Sequence, residues 1–361
     1  MSILTLNAGS SSIKFALFDA GRRLSSGQVD GLGVGGASHA EALHGLLADL
    51  PGTPVQAVGH RIVHGGTRFD APVPIDDTVL EAIGALAPLA PLHQPHNLEG
   101  VLAARAAFPG VPQVACFDTA FHRTMPEVNQ CFALPRPWLD RGVRRYGFHG
   151  LSYESICAQL AAEDASAAQG RIVIAHLGNG ASMCAVRQGR SVATTMSFSP
   201  LDGLPMGTRC GRIDAAVVLH LLQHERISAE AIAQLLYRES GLLGLSGLSG
   251  DMRQLQRSAE PAARLALDYF VEHIGRELAA LAASLRGLDM LVFTGGIGEN
   301  ATAIRERVVR DAAWMGLQLD AQANRRGDSR IAAAGSAVEV RVLHTDEEAV
   351  IARHTERVAL R

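Results

Sequence analysis

LTLNAGSSSIKFALFD, residues Leu4 to Asp19, is the stretch whose reading decides the fold. Ile3, Leu4 and Leu6 read as a first strand, and Ile13, Phe15 and Leu17 alternate as a second. Between them Gly9 lets the backbone approach a ligand, and the hydroxyls of Ser10, Ser11 and Ser12 with successive N–H groups outline an anion-binding concavity. Lys14 follows, the only lysine among 33 basic residues. A lysine kept where arginine is used everywhere else reads as a point charge for a phosphate. Taken alone, the same stretch also fits an ordinary edge hairpin with a chance lysine.

The pattern recurs. Ile172 to His176 reads as a strand, Leu177-Gly178-Asn179-Gly180-Ala181-Ser182 as a Gly-rich turn, and Met183 to Arg187 as a strand. Gln188-Gly189 then turns the chain into a strand from Ser191 to Met196, as Ala20-Gly21 leads from the first hairpin to a strand near Ser25 to Val29. Two βββ meanders with the same glycine placement predict a duplicated α/β domain, with one phosphate turn in each half facing across a cleft.

Composition permits this. A chain of 361 residues with 47% hydrophobic residues can fill two cores. A net charge of −3 with scattered arginines gives no general attraction to nucleic acid or anionic lipid, so neither is expected as a partner. The five cysteines contain no CxxC pair, which argues against a metal cluster and a disulfide framework. No signal-peptide pattern and no apolar run of about 18 residues is present, and the cytoplasm is the expected compartment.

Between the repeats lie isolated polar groups in apolar settings. AVGHRIV, Ala57 to Val63, reads as a buried strand carrying Arg61, which either snorkels out or points into a ligand cleft. Asp118 sits where the strand Val111 to Phe117 stops, a position shared by catalytic groups and helix caps; the residue by itself favours the cap. His149, between Phe148 and Gly150, is placed to enter a helix N-terminus from about Tyr153 to Ala162. Pro200 to Asp214 reads as an irregular loop carrying Arg209 and Arg212, and the Gly-rich run Gly241 to Gly250 leads to Asp251-Met252-Arg253.

An amphipathic helix covers Leu265 to Leu285. The strand Asp289 to Phe293 then enters Thr294-Gly295-Gly296-Ile297-Gly298-Glu299-Asn300, with a helix near Ala301 to Ala313. Gly296, Gly298 and Ala301 give a loose G-x-G-x-x-A, yet no acidic residue ends a second strand about 20 residues on. A glycine turn over a mononucleotide fits better than a dinucleotide site. No GK[ST] exists, so a P-loop kinase is excluded. Near the C-terminus Thr345 or Asp346 with Glu348 makes an ordinary cap, and Glu347 is a candidate metal ligand.

Nine segments in order, LNAGSSSIK, GHRIVHGG, FDTAFHRTMP, RYGFHGLS, HLGNGAS, PLDGLPMGTR, DMR, FTGGIGEN and TDEE, together resemble the acetate kinase family of the acetate and sugar kinase, Hsp70 and actin superfamily. The resemblance implies an α/β fold of two duplicated ribonuclease-H-like, actin-like ATPase domains with an interdomain cleft. These are expected over 1–120 plus 348–361 and over 121–347. It implies reversible phosphorylation of acetate to acetyl phosphate with ATP as co-substrate and Mg²⁺ as cofactor, Mn²⁺ as a substitute, by a homodimer whose partners are acetate and ATP/ADP. By the same resemblance Asn7 and Glu347 belong to the metal site. Lys14, His176, Leu177, Gly178, Asn179, Gly180, Asp251, Met252, Arg253, Gly295, Gly296, Ile297, Gly298 and Glu299 bind nucleotide. Val63, Leu92, Phe148 and Pro200 enclose the substrate methyl, Arg61 and Arg209 serve carboxylate and phosphoryl group, His149 stabilises the transition state, and Asp118 is the acid/base residue.

Chemistry qualifies the last role. Acetate is ionised near neutral pH and needs no base before attack, so positioning and charge neutralisation carry the reaction, and Asp118 is expected to orient Arg61 or metal-bound water. Three residues depart from the family pattern: Arg212, Tyr153 in place of the usual histidine, and Gly250 in place of a serine. The segment between Gly27 and Gln56 is also shorter than usual. The rival readings are a propionate or butyrate kinase, a pyrophosphate-dependent acetate kinase, and a non-enzymatic actin- or chaperone-like nucleotide module.

Overall fold

The meander that opens the chain becomes three strands, β1 (Ser2–Ala8), β2 (Ser12–Asp19) and β3 (Arg22–Asp30), paired antiparallel with Asn7 opposite Lys14. This computed structural model describes residues 1–8, 12–30, 41, 45, 54–91 and 93–360. The turn Gly9 to Ser11, the loop Gly31 to Gly36, most of the helix expected from Ala40 to Leu50, and Leu92 lie outside the described residues.

β4 (Ala57–Ile62), β5 (Val73–Pro74) and β6 (Gln113–Phe117) complete the first sheet in the order β3-β2-β1-β4-β6-β5. The second sheet contains β7 (Arg171–Leu177), β8 (Ala181–Arg187), β9 (Arg190–Thr194), β10 (Met290–Thr294) and β11 (Glu339–Val342), in the order β11-β10-β7-β8-β9. Each sheet is an antiparallel meander continued by two parallel strands beside its first strand, the first sheet adding β5 antiparallel to β6 at its edge. The duplication read from the glycine spacing is therefore a duplication of topology.

Both faces of the second sheet are covered, which is why its strands are almost continuously apolar. Val173, Ala175 and Leu177 pack on Phe270, Ile274 and Leu278 of the helix Pro261–Leu285. Ile172 and Ile174 point the other way, onto Tyr153, Ile156 and Leu160 of the helix Gly150–Glu163. In the first sheet Leu4, Leu6 and Val58 meet Ala104 of the helix Gln94–Ala107. Its opposite face takes the closing helix Glu347–Ala359, which also packs against Gly150–Glu163.

Several local expectations change. The run Gly241 to Gly250 holds a short helix, Gly241–Ser246. The FTGGIGEN turn is helical at once, Gly295–Asn300, with a second helix at Thr302–Asp311. Positive φ at Gly295 (77°) makes this sharp start possible, and a Cβ there would lie 2.8 Å from the Leu177 carbonyl oxygen. The long helix expected from Leu265 starts earlier, at Pro261. Among the described residues no helix is long and apolar enough to cross a membrane.

Candidate active site

β4 ends where the chain must leave the sheet, and Arg61 sits one residue before that end. Its guanidinium turns into the space between the two sheets. Nε donates to Asp118 Oδ1 and Oδ2 at 3.1 and 3.0 Å, Nη2 donates to Asp118 Oδ2 at 2.5 Å, and Nη1 donates to Asn7 Oδ1 at 3.1 Å. Glu347 Oε2 lies 3.7 Å from Nε. Burial works against the Arg61 charge, but Asp118 and Glu347 outweigh it and push its pKa up. Asp118 is thus no helix cap: the turn Ala120–Thr124 that follows has no side-chain cap, and the carboxylate is spent on Arg61. Burial raises the Asp118 and Glu347 carboxyls above the ordinary range, against the pull of Arg61.

His149 is the N-cap of the helix Gly150–Glu163, held in the left-handed region at φ 59°. Its ring stacks on His176 with centroids 4.3 Å apart, and its Nδ1 lies 2.8 Å from Ser182 Oγ. Burial, then the His176, Arg61 and Arg209 charges, hold it well below the ordinary histidine range. His176 falls to about 4, by burial first and Arg61 second. Both rings are neutral at pH 7.

Arg209 arrives from the loop after Pro200, where Nη1 donates to the Pro200 carbonyl at 2.8 Å. A Cβ built on Gly180 would lie 3.3 Å from Arg209 Nη2 and 3.5 Å from His149 Nε2, so the guanidinium and the neutral imidazole meet at the Gly-rich turn of β7 and β8. Burial lowers the Arg209 pKa, with Arg61 and Arg238 acting in the same direction. Val63 and Phe148 are buried in one apolar cluster, and Pro200 is buried beside Arg209.

A cavity of about 480 Å³ is lined by Asn7, Lys14, Arg61, His149, His176, Gly180, Gly295, Glu299 and Glu347. Gly178, Asn179 and Gly296 join it to a second cavity of about 720 Å³, lined also by Asp251, Met252, Arg253 and Ile297. Leu177 and Gly298 line neither. Leu177 is fully buried, and a Cβ at Gly298 would lie 3.5 Å from the Ala175 carbonyl oxygen, so they support the turn from beneath.

Arg253 is engaged by Asp251 at 2.9 Å, and Asp251 also caps the helix Met252–Arg257. Glu299 Oε1 accepts from Gly295 N at 2.9 Å and its Oε2 meets His344 Nδ1 at 2.8 Å. Asp346 proves to be the cap of the closing helix, accepting from Ala349 N at 2.9 Å, which leaves Glu347 facing the cavity.

The departures are accommodated. Arg212 pairs with the nearly buried Glu277 at 2.9 Å, away from both cavities. A Cβ on Gly250 would lie 2.6 Å from the Gly207 carbonyl oxygen, a close approach that ties the DMR segment to the PMGTR loop. Asn300 and Thr345, the ends of FTGGIGEN and TDEE, also line the cavities, as do Gln256 and His344, which no spacing in the sequence marks. His93, which burial and the Arg209 and Arg61 charges lower to about 3, was missed too; its place beside Leu92 was the one available signal.

Two sheets of the same order facing a cationic, glycine-lined cleft define the class: a phosphotransferase-type protein of the actin-like ATPase fold. The profile of the acetokinase family matches residues 34–353. An acetate kinase of Methylocella silvestris is 51% identical, over 98% of this chain and 96% of the relative. Among solved structures, the acetate kinase of Porphyromonas gingivalis superposes with a TM-score of 0.90 at 37% identity, covering 99% of each chain. A propionate kinase from Francisella tularensis gives 0.93 at 35% identity, also covering 99% of each. The chain belongs to the acetokinase family.

Proposed function

We propose that the cleft transfers the γ-phosphoryl group of ATP to acetate, giving acetyl phosphate and ADP by direct in-line displacement, reversibly. Membership in the acetokinase family and relatives that are acetate kinases support the activity. The observation that carries the residue roles is the meeting of Arg209 Nη2 and His149 Nε2 at Gly180, on the wall of the cavity that Arg61, Lys14 and Glu347 also line.

In this reading a carboxylate oxygen of acetate attacks the γ-phosphorus as the bond to the β,γ-bridging oxygen breaks, and the bonding pair leaves on ADP. No proton moves. The barrier is the repulsion of two anions, and Arg61, Arg209 and Lys14 offset it while neutral His149 donates from Nε2 to a phosphoryl oxygen. Asp118 holds the Arg61 fork in one plane. Gly178 and Gly296 allow the nucleotide's phosphates to lie against the backbone, and Asp251 to Arg253 border the nucleoside end.

The amide oxygen of Asn7 and the carboxylate of Glu347 are hard oxygen donors on one cavity wall, a set suited to Mg²⁺, which keeps waters and phosphate oxygens as its other ligands. Bound there, Mg²⁺ would supply charge neutralisation on the phosphates. Val63, Phe148 and Pro200, with Leu92, would enclose the methyl group. One added methylene is discriminated by only about 1–3 kcal/mol in such pockets, so propionate should be a poor substrate. The division of the chain into 1–120 plus 348–361 and 121–347 is proposed as the pair of bodies that close on substrate. Val217, Leu219 and Leu222, exposed on the helix Ala215–Gln223, support a homodimer. ATP as donor supports a cytoplasmic location.

The test is acetyl phosphate formation, trapped as the hydroxamate, from ATP with acetate, propionate or butyrate, with and without Mg²⁺, and with pyrophosphate in place of ATP. Acetate with ATP and Mg²⁺ should give the highest kcat/KM. Equal values for acetate and propionate would overturn the pocket assignment, and ATP turnover with no acyl phosphate would favour a nucleotide module.

A further inference from the structure

We propose that Tyr153 is a positioning residue for this transfer: through the Ser182 hydroxyl it fixes His149 in the tautomer that keeps its proton on Nε2, the nitrogen facing the cleft. The inference rests on the reading of the cleft given above and adds the group that decides where the histidine proton sits.

Ser182 Oγ lies 2.8 Å from His149 Nδ1 and 2.5 Å from the Tyr153 hydroxyl, and both Tyr153 and Ser182 are fully buried. No water competes for these atoms, so the chain must satisfy itself. A neutral imidazole carries one N–H, and the serine has one proton to give. Two arrangements are available. If Tyr153 donates to Ser182, Ser182 donates to Nδ1 and Nε2 keeps the proton. If the polarity reverses, Nδ1 donates to Ser182 and Nε2 presents a bare lone pair to the phosphoryl oxygens, which repels them.

The far end of the chain favours the first arrangement. The Thr194 hydroxyl beside the phenol gives its one proton to the Met183 carbonyl at 2.9 Å. The phenol's own hydrogen bond runs to Ser182 Oγ, and in the reverse polarity its buried O–H would have no acceptor within hydrogen-bond distance among the described residues. The phenol proton is then directed at Ser182, giving Tyr153 to Ser182 to His149. Turning the imidazole over would place Cδ2 against Ser182 Oγ and lose this hydrogen bond, while the stacked His176 is itself held with Nδ1 2.8 Å from Ser152 Oγ. Ser152 and Tyr153 stand on the first turn of the helix that His149 caps, so one helix start sets both rings.

The test combines spectroscopy on the protein without substrates with kinetics. ¹⁵N-histidine NMR, with the His149 signal assigned by its loss in His149→Gln, should show Nε2 protonated in the parent chain. In Tyr153→Phe it should show a shift toward the Nδ1-protonated form. Acetyl phosphate synthesis by Tyr153→Phe should lose between about tenfold and a hundredfold in kcat, less than the full loss of an oxyanion donor, with KM for ATP unchanged. Ser182→Ala should lose at least as much, the double variant should be no worse than Ser182→Ala alone, and Tyr153→His, which restores a donor, should recover most of the loss. An unchanged His149 signal in Tyr153→Phe, additive losses in the double variant, or a kcat loss that tracks a fall in Tm and is not recovered by Tyr153→His would each overturn the proposal. The NMR result stands without any assay, so its failure is separable from failure of the acetate kinase reading.

Discussion

Arg61 shows how one side chain can be costly and necessary at once. It gives three hydrogen bonds to Asp118 and one to Asn7, and a charge so placed survives burial because its partners are fixed before any ligand arrives. If Asp118 acts by orientation, Asp118→Asn should lower kcat by roughly 10²-fold and leave the pH–rate profile with the same number of ionisations; loss of one would identify Asp118 as a base. Gly180 offers a second measurement. A methyl group there meets Arg209 Nη2 at 3.3 Å and His149 Nε2 at 3.5 Å, tight to ordinary contacts that leave the fold intact but occupy the transfer point. Gly180→Ala should therefore keep the parent Tm while kcat falls, by at least about tenfold for displaced reacting groups. Wild-type kcat in Gly180→Ala would show that the transfer point lies elsewhere.

The closing helix is the element on which the metal side depends. It lies on β4 through Gly59, where a Cβ would stand 2.2 Å from Thr355 Oγ1 and 2.6 Å from Ile351 Cγ2. Gly59→Val must displace the helix. Overpacking of this kind costs about 1–3 kcal/mol, and because Glu347 is the first helical residue the displacement reaches the cleft. Lower Tm together with a higher Mg²⁺ concentration for half-maximal activity is expected; a fall in Tm alone would separate the helix from the metal site. The Asp346 cap is a finer probe. Asp346→Ala should cost about 1 kcal/mol of stability in urea unfolding, plus whatever the exposed pair with Arg23 contributes.

At the scale of the whole molecule, burial of histidine governs response to acid. His60, His64, His122 and His176 are lowered to about 4 and His93 to about 3, in each case by burial first. Between pH 6.5 and 4 the unfolded chain binds more protons than the folded one, so stability is full above pH 6.5 and is lost as pH falls through that window. Asp118, Glu277 and Glu347, raised in the fold, act in the opposite direction, but they are three groups against five. Even half the nominal effect of two such histidines exceeds about 3 kcal/mol, so the urea midpoint should be flat above pH 7 and drop steeply below pH 6. A midpoint flat down to pH 4 would contradict the buried neutral histidines. By itself the sequence determined the two meanders, their glycine turns and the oddity of a lysine and an arginine on apolar strands, because strand alternation and glycine placement are local and repeat. It gave the long helix but began it at Leu265 instead of Pro261, since helical periodicity gives a face but not the end of the element. Only the tertiary structure decided that Asp118 binds Arg61 rather than capping a turn, and that Tyr153 reaches His149 through Ser182. Those pairs join residues 57 and 29 positions apart, across elements whose approach is set by packing of both cores and leaves no periodic trace in the chain.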